Sequence, residues 1–265
     1  MNEAKLISLP AFENPPVIEV VCGIVFEAIK GFRAHHLGLF WQMVRDEFPD
    51  CEHAIRLGFP KEQLDLANYL PRVWFISEDK HRLIQLQDNR LLFNWRKTET
   101  GEDYPHYIII IKAFSDYLGI FQKFLKEKAL GTLNPESCEL TYINHILKGW
   151  GWESLSDINS IFPDFAWNST SERFLPEPLQ VSGQIRFSLP DDKGNLSLTL
   201  QQGERKSDKV PILILNNSAQ GLGANKSLKA VWEWFEVAHE WIVRGFADLT
   251  GPKIQRDVWR RRDAK

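Results

Sequence analysis

Hydrophobic positions in the first half of the chain follow two different periods, one typical of strands and one of helices. The run from Val17 to Glu27 is rich in β-branched residues, which favours a strand, and apolar residues recur at helical spacing from His35 to Phe48. The order predicted for this half is strand, helix, three strands and helix, at 17–27, 35–48, 72–78, 82–87, 90–97 and 107–129.

The second half repeats this order. Its predicted elements lie at 138–147, 154–162, 179–189, 196–202, 210–216 and 226–250. The segment 191–195 has the composition of a hairpin turn. Asn225 or Ser227 is the candidate N-cap of the last helix, and Gly251-Pro252 predicts its end.

The repeated order predicts an α+β protein of two similar β-α-β-β-β-α halves, residues 1–133 and 134–265. Antiparallel sheets backed by the long helices would then lie edge to edge or form one continuous curved sheet. Leu91 and Phe93 correspond to Ile212 and Ile214 at a constant spacing, which favours an internal duplication. The alternative is two unrelated α+β units of similar size.

Successive side chains of a strand point to opposite faces of the sheet, so the sequence assigns each residue of the predicted strands to one of two faces. Leu91, Phe93 and Trp95 share one face and are expected to pack under a helix. The polar residues expected on the opposite face are Gln85, Gln87, Asn94 and Arg96. This polar face is either an open surface for a partner or a set of cross-strand hydrogen bonds.

Composition places the chain among ordinary globular proteins, with 43% hydrophobic and 25% charged residues. The net charge of −3 offers no overall basic field for nucleic acid. The apolar run from Tyr107 to Ile111 is too short to cross a bilayer, so no membrane partner is expected. Cys22, Cys51 and Cys138 are an odd, scattered set, and we interpret them as reduced core thiols of a cytoplasmic protein.

Three motifs that suggest chemistry are incomplete. The loop before Lys226 has Asn225 where a phosphate-binding loop needs glycine, and Val243 replaces the second histidine of a zinc-protease helix begun by His239. His35 and His36 lack further ligands nearby and are interpreted as exposed imidazoles. We therefore assign no catalytic residue, metal or cofactor, and the balance is against an enzyme.

Tryptophan is abundant, with ten residues in the chain. Trp234 and Trp241 lie beside the apolar stripe of the last helix, where they either extend the core or anchor an interface. The one basic cluster is the tail, formed by Arg256, Trp259, Arg260, Arg261 and Arg262. It either contacts nucleic acid, with the indole stacked on a base, or is a solvated end whose tryptophan packs back on the body.

Several stretches together resemble a sporadically distributed bacterial protein family whose function is not established. They are Asn14–Val21, His36–Trp41, Arg72–Phe75, Leu83–Gln87, Asn94–Arg96, Cys138–Ile146 and His239–Val243, with Phe246, Leu249-Thr250 and Trp259. Patchy distribution implies mobile genes, of which toxin–antitoxin and phage-defence modules are common examples. The resemblance also draws attention to three polar strand residues, Tyr142, Asn144 and His145.

Three functional hypotheses follow. The leading one is a non-enzymatic interaction protein, an accessory or neutralising part of a bacterial conflict system, whose partner is another protein or a second copy of the chain. Its candidate binding residues are Gln85, Gln87, Asn94, Arg96, Tyr142, Asn144, His145, Trp234 and Trp241. The alternative is a nucleic-acid binder that uses the sheet face and the tail. The third is an enzyme or small-ligand receptor with a deep pocket around His145 or His239.

Overall fold

Nine strands form one antiparallel sheet, which confirms the predicted α+β class. The computed structural model describes residues 9–58, 70–98, 103–165, 173–176 and 178–262. The strands of this sheet are β2 (Val17–Phe26), β3 (Asp50–Ala54), β4 (Arg72–Ile76), β5 (Arg82–Gln87), β6 (Arg90–Arg96), β7 (Pro135–Leu147), β8 (Gly183–Ser188), β9 (Asn195–Glu204) and β10 (Pro211–Gly221). A separate two-stranded pair joins β1 (Ala11–Phe12) to β11 (Arg261–Arg262).

The strand order is symmetric about the middle of the sheet. It runs β3-β4-β5-β6-β2-β7-β10-β9-β8, so β2 and β7, the first predicted strand of each half, pair at the centre. Beside β2 the order is β6, β5 and β4, and beside β7 it is β10, β9 and β8. The first half has β3 as an additional edge strand. The halves therefore share one sheet, while their origin by duplication stays a prediction.

Helices lie on one face of this sheet. Their bounds are α1 (Ala34–Val44), α2 (Tyr107–Glu127), α3 (Ile158–Ile161), α4 (Leu228–Leu249) and α5 (Pro252–Asp257). Ser227 caps α4, since its hydroxyl accepts a hydrogen bond from the Ala230 amide at 3.2 Å. Gly251-Pro252 ends α4 as expected, but Pro252 also begins α5, where its fixed φ suits a first helical position.

The main core lies between the sheet and the helices α1, α2 and α4. Phe40, Phe114, Phe121 and Phe235 are among its buried aromatic side chains. Trp234 is 0% exposed, and its indole N–H donates to the Lys193 carbonyl at 2.8 Å. The use of Trp234 as an interface anchor is therefore wrong, because its ring cannot reach a partner. Trp241 is half-buried against the same core.

Two local expectations need correction. Cys51 lies on the edge strand β3 and is exposed, whereas Cys22 and Cys138 are buried. Burial raises the pKa of the Cys138 thiol to about 12. His36 is buried rather than solvated. Its Nδ1 accepts a hydrogen bond from the Arg33 amide at the start of α1, at 2.9 Å. None of the helices in the described ranges is long and apolar enough to cross a membrane.

Candidate functional site: a cavity between the sheet and the last helix

The predicted binding residues are distributed over both faces of the sheet. Gln85, Gln87, Asn94 and Arg96 lie on the face away from the helices, as alternation predicted, because their strand neighbours Ile84, Leu86, Phe93 and Trp95 are in the main core. Tyr142 and Asn144 lie on the helix side, next to a cavity. His145 points to the helix-free face. The set does not form one site.

On the helix-free face, the first-half residues form a chain of cross-strand hydrogen bonds. Arg72 Nη1 donates to Gln85 Oε1 at 2.7 Å, and Gln85 Nε2 donates to Asn94 Oδ1 at 2.7 Å. Asn94 Nδ2 in turn donates to Glu19 Oε1 at 2.6 Å. Gln85 and Asn94 are only 6% and 3% exposed. The expected open surface is therefore wrong here, and the alternative of cross-strand bonding describes these side chains.

Gln87 and Arg96 continue this pattern. Gln87 is buried, with its Oε1 accepting from the Leu57 amide at 2.8 Å and its Nε2 donating to Asn89 at 2.9 Å. Arg96 is half-buried, and its charge stabilises the ionised Glu19 carboxyl. Burial nevertheless raises the pKa of Glu19, since desolvation outweighs its hydrogen bond and the nearby guanidinium.

The second half of the helix-free face is more open. Alternate residues of β9, from Asn195 through Ser197 and Thr199 to Gln201, lie on this face, and each is half-buried or exposed. On the neighbouring strands the Thr141 and Ser218 hydroxyls lie 2.8 Å apart. The sequence analysis overlooked this surface, although the alternation of leucine with polar residues in β9 could have revealed it.

A cavity of about 340 Å³ opens on the other face of the sheet, beside α4. Its floor is formed by Tyr142 and Asn144 of β7 and by Asn217 of β10. The start of α2 and the inner side of α4 form two walls, and the segment 9–15 forms a third. A largely apolar concavity of this size with a few polar groups is typical of small-molecule sites.

Three tyrosines provide hydroxyl groups at this cavity. The Tyr104 and Tyr142 hydroxyl oxygens lie 3.0 Å apart, and Tyr107 donates to the Glu236 carboxylate at 3.1 Å. Burial is the main cause that raises the pKa of each phenol, so all three stay neutral at physiological pH. The bond between Tyr104 and Tyr142 uses one hydroxyl proton, which leaves the second proton of the pair for a further acceptor.

His239 on α4 faces this cavity and is neutral. Its ring stacks on Tyr107, with centroids 3.7 Å apart and planes at 7°. Burial lowers the pKa of His239 to about 4, although the neighbouring Glu240 acts in the opposite direction. Its ring nitrogens make no hydrogen bond with any residue in the described ranges, so no carboxylate prepares it as a general base.

Asn217 supplies the most unusual polar atom of the cavity. Its side chain is 1% exposed, and its Oδ1 has no hydrogen-bond partner among the described residues. Asn144 differs, because its Nδ2 donates to the Leu215 carbonyl at 3.0 Å. Sequence analysis missed Asn217, yet the signal was present. It occupies a core-facing position in a strand where Leu213, Leu215 and Ala219 are buried.

The wall formed by residues 9–15 is attached to the C-terminal tail. Phe12 packs edge-on against Phe246 at 5.4 Å and against Trp259 at 6.3 Å. Trp259 is buried, so the expectation that its indole stacks on a base is wrong, and the alternative that it packs back on the body is confirmed. The N-terminal wall and the tail therefore form one structural unit.

The tail arginines are exposed but make polar contacts. Arg260 and Arg262 lie 3.9 and 3.4 Å from the Glu13 carboxylate. Arg256 lies 2.8 Å from Asp257, and Arg261 Nη1 donates to Gln255 Oε1 at 2.8 Å. Acidic partners thus reduce the basic field that the sequence suggested.

His145 lines a second cavity of about 460 Å³, between β7 and the tail. Burial and the charge of Arg205 lower the pKa of this half-buried imidazole. Trp150, which is 64% exposed, lies at the same concavity. His145 and His239 are therefore on opposite faces of the sheet and cannot act on one ligand.

A scan of the chain against protein-family models finds no match, and a search of curated proteins finds no match either. The resemblance to a sporadic bacterial family stays a prediction, and the site is interpreted from its geometry.

Proposed function

We propose that this protein is a small-molecule binding protein and that its ligand occupies the cavity between the sheet and α4. The observation that carries this proposal is Asn217, which lines the cavity and whose buried amide oxygen has no partner among the described residues. Leaving such an atom unsatisfied costs about 1–3 kcal/mol, and a bound ligand that donates a hydrogen bond would recover this cost. The neutral His239 and the spare tyrosine proton offer further contacts.

Binding is a better interpretation than catalysis. A general base needs a pKa near the operating pH, and burial moves His239 well below it. The tyrosine pKa values move in the opposite direction, away from neutrality. The described groups of the cavity therefore suit recognition by hydrogen bonds and stacking, with little capacity for proton transfer.

A cavity-filling variant tests the proposal. Val243 lines the cavity on α4, whereas Val237 lies on the same helix, is also half-buried and does not line it. We expect the wild type and Val237→Phe, purified from the native host, to carry a bound small molecule in native mass spectrometry. Val243→Phe should lose that mass while keeping its circular dichroism spectrum. The proposal fails if all three proteins carry the same molecule, or if none does.

A second candidate function is the binding of a protein partner to the helix-free face of the sheet, in the part formed by the second half of the chain. The partly exposed polar row of β9, with Thr141 and Ser218 beside it, favours this candidate because it offers many hydrogen-bonding groups and little charge. The family resemblance suggests a bacterial conflict system as the setting, in the role of an accessory or neutralising component. Thr199→Arg should abolish co-purification with a neighbouring gene product, whereas Lys229→Ala on α4 should not.

Nucleic-acid binding is a weaker proposal. The buried Trp259 and the contacts of the tail arginines with Glu13 and Asp257 do not favour it. It would require retention on heparin that falls steeply with salt.

A further inference from the structure

We infer that the cavity takes an uncharged molecule with a largely apolar body that carries one hydrogen-bond donor and one acceptor. This inference rests on the proposed function and names its ligand class. It is drawn from the charges of the lining, from the unpartnered groups and from the aromatic stack at the α4 wall.

The lining excludes a charged ligand. Among the described residues, no lysine, arginine, aspartate or glutamate side chain lines this cavity. His239 stays neutral down to its pKa of about 4, and the buried phenols stay protonated. A charge buried beside these groups would therefore lose its hydration without gaining an opposite charge, which is costly. The exposed His106 imidazole is the other titratable side chain of the lining.

The unpartnered groups require both a donor and an acceptor. Asn217 Oδ1 accepts hydrogen bonds and needs a donor from the ligand. The hydroxyl pair of Tyr104 and Tyr142 retains one proton and needs an acceptor. Asn217 and Tyr142 are direct partners across β10 and β7, on the same face, so one ligand can reach both.

The aromatic stack indicates where the apolar body lies. The His239 ring stacks on Tyr107 with centroids 3.7 Å apart. The Tyr142 ring lies further along this stack, with its centroid 6.3 Å from that of His239 and its plane inclined by 28°. Ile242, Val243 and Phe246 complete this wall with apolar side chains. A flat, neutral molecule can bury its body here while its polar edge meets the sheet.

Four probes of similar size test the ligand class by calorimetric titration of the full chain. They are 2-quinolinone, which has a neutral donor and acceptor, naphthalene, which has neither, 1-naphthoate, which is an anion, and 1-naphthylmethylammonium, which is a cation. We expect 2-quinolinone to bind most tightly, with the two charged probes weaker by at least about tenfold. Equal or tighter binding of either charged probe overturns the ligand class.

Variants assign the two hydrogen bonds. Asn217→Leu and the double variant Tyr104→Phe/Tyr142→Phe should each weaken 2-quinolinone binding by about fivefold to a hundredfold and leave naphthalene binding unchanged or stronger. Asn216→Leu is the matched control, because Asn216 precedes Asn217 in β10, faces the other side of the sheet and also has a buried Oδ1 without a partner among the described residues. Unchanged 2-quinolinone binding in both cavity variants contradicts the inference. If all four probes bind equally, the ligand class is wrong but the proposed function stands. If none of them binds, both the ligand class and the proposed function are contradicted.

Discussion

Two buried asparagines, one on each face of the sheet, have opposite hydrogen-bonding states. Asn94 accepts from Gln85 and donates to Glu19, whereas Asn217 Oδ1 has no partner among the described residues. A satisfied buried amide stabilises the fold, and an unsatisfied one destabilises it. This contrast separates a structural role for Asn94 from the binding role that we propose for Asn217.

The two asparagines should respond differently to replacement by leucine. Asn94→Leu leaves Gln85 Nε2 without its acceptor and removes the hydrogen bond of the half-buried Glu19 carboxyl, so we expect a loss of about 2–4 kcal/mol in the free energy of unfolding. Asn217→Leu removes an oxygen that has no partner in the described ranges, so we expect stability to be unchanged or increased. Urea denaturation measures both values, and equal losses would contradict the assignment.

His239 should make stability depend on pH. Its pKa is about 4 in the folded protein, below the ordinary value of 6.5 that a solvated histidine keeps in the unfolded chain. The unfolded chain therefore binds more protons between these two values. Stability is unaffected above pH 6.5 and falls as the pH drops toward 4. Between pH 7 and pH 5 we expect His239 to account for a loss of about 2 kcal/mol.

The variant His239→Phe keeps an aromatic ring and cannot titrate. Its unfolding free energy, measured in urea at pH 7 and pH 5, should fall by about 2 kcal/mol less than that of the wild type. His36 and His145, whose pKa values are also lowered, are present in both proteins and cancel in the comparison. An identical pH dependence in the two proteins would show that His239 is not buried as a neutral group.

Among the elements, those with a strong period could be predicted and those fixed by tertiary contacts could not. The long helices α2 and α4 and the hairpin of β5 and β6 follow directly from apolar spacing and turn residues. Strand β3, with the sequence Asp-Cys-Glu-His-Ala, has no apolar alternation and exists because it pairs with β4. The pairing of β1 with β11 joins the two ends of the described chain, which local propensity cannot indicate.

The site could be predicted only in part for the same reason. The family resemblance draws attention to Tyr142 and Asn144 of β7, and both line the cavity. Tyr104 precedes α2, and only tertiary packing brings its hydroxyl to Tyr142. The sequence names His239 as a candidate for a deep pocket, but its neutrality follows from packing that the sequence does not specify.

The sheet separates the cavity from the surface on its helix-free face. The first half of the helix-free face is closed by the bonded chain from Arg72 to Glu19, and the second half presents the partly exposed row of β9. The cavity lies on the opposite side, at the paired central strand β7 and its neighbour β10, under α4. A ligand in the cavity and a protein on the β9 row could therefore bind without competing.

A crystal structure of the protein with 2-quinolinone would show where the ligand binds and which side chains it contacts. Our account predicts that the ligand lies in the cavity beside α4, with its N–H donating to Asn217 Oδ1 and its ring against His239. A ligand bound elsewhere, or one whose polar edge does not meet Asn217 or the tyrosine pair, would contradict it.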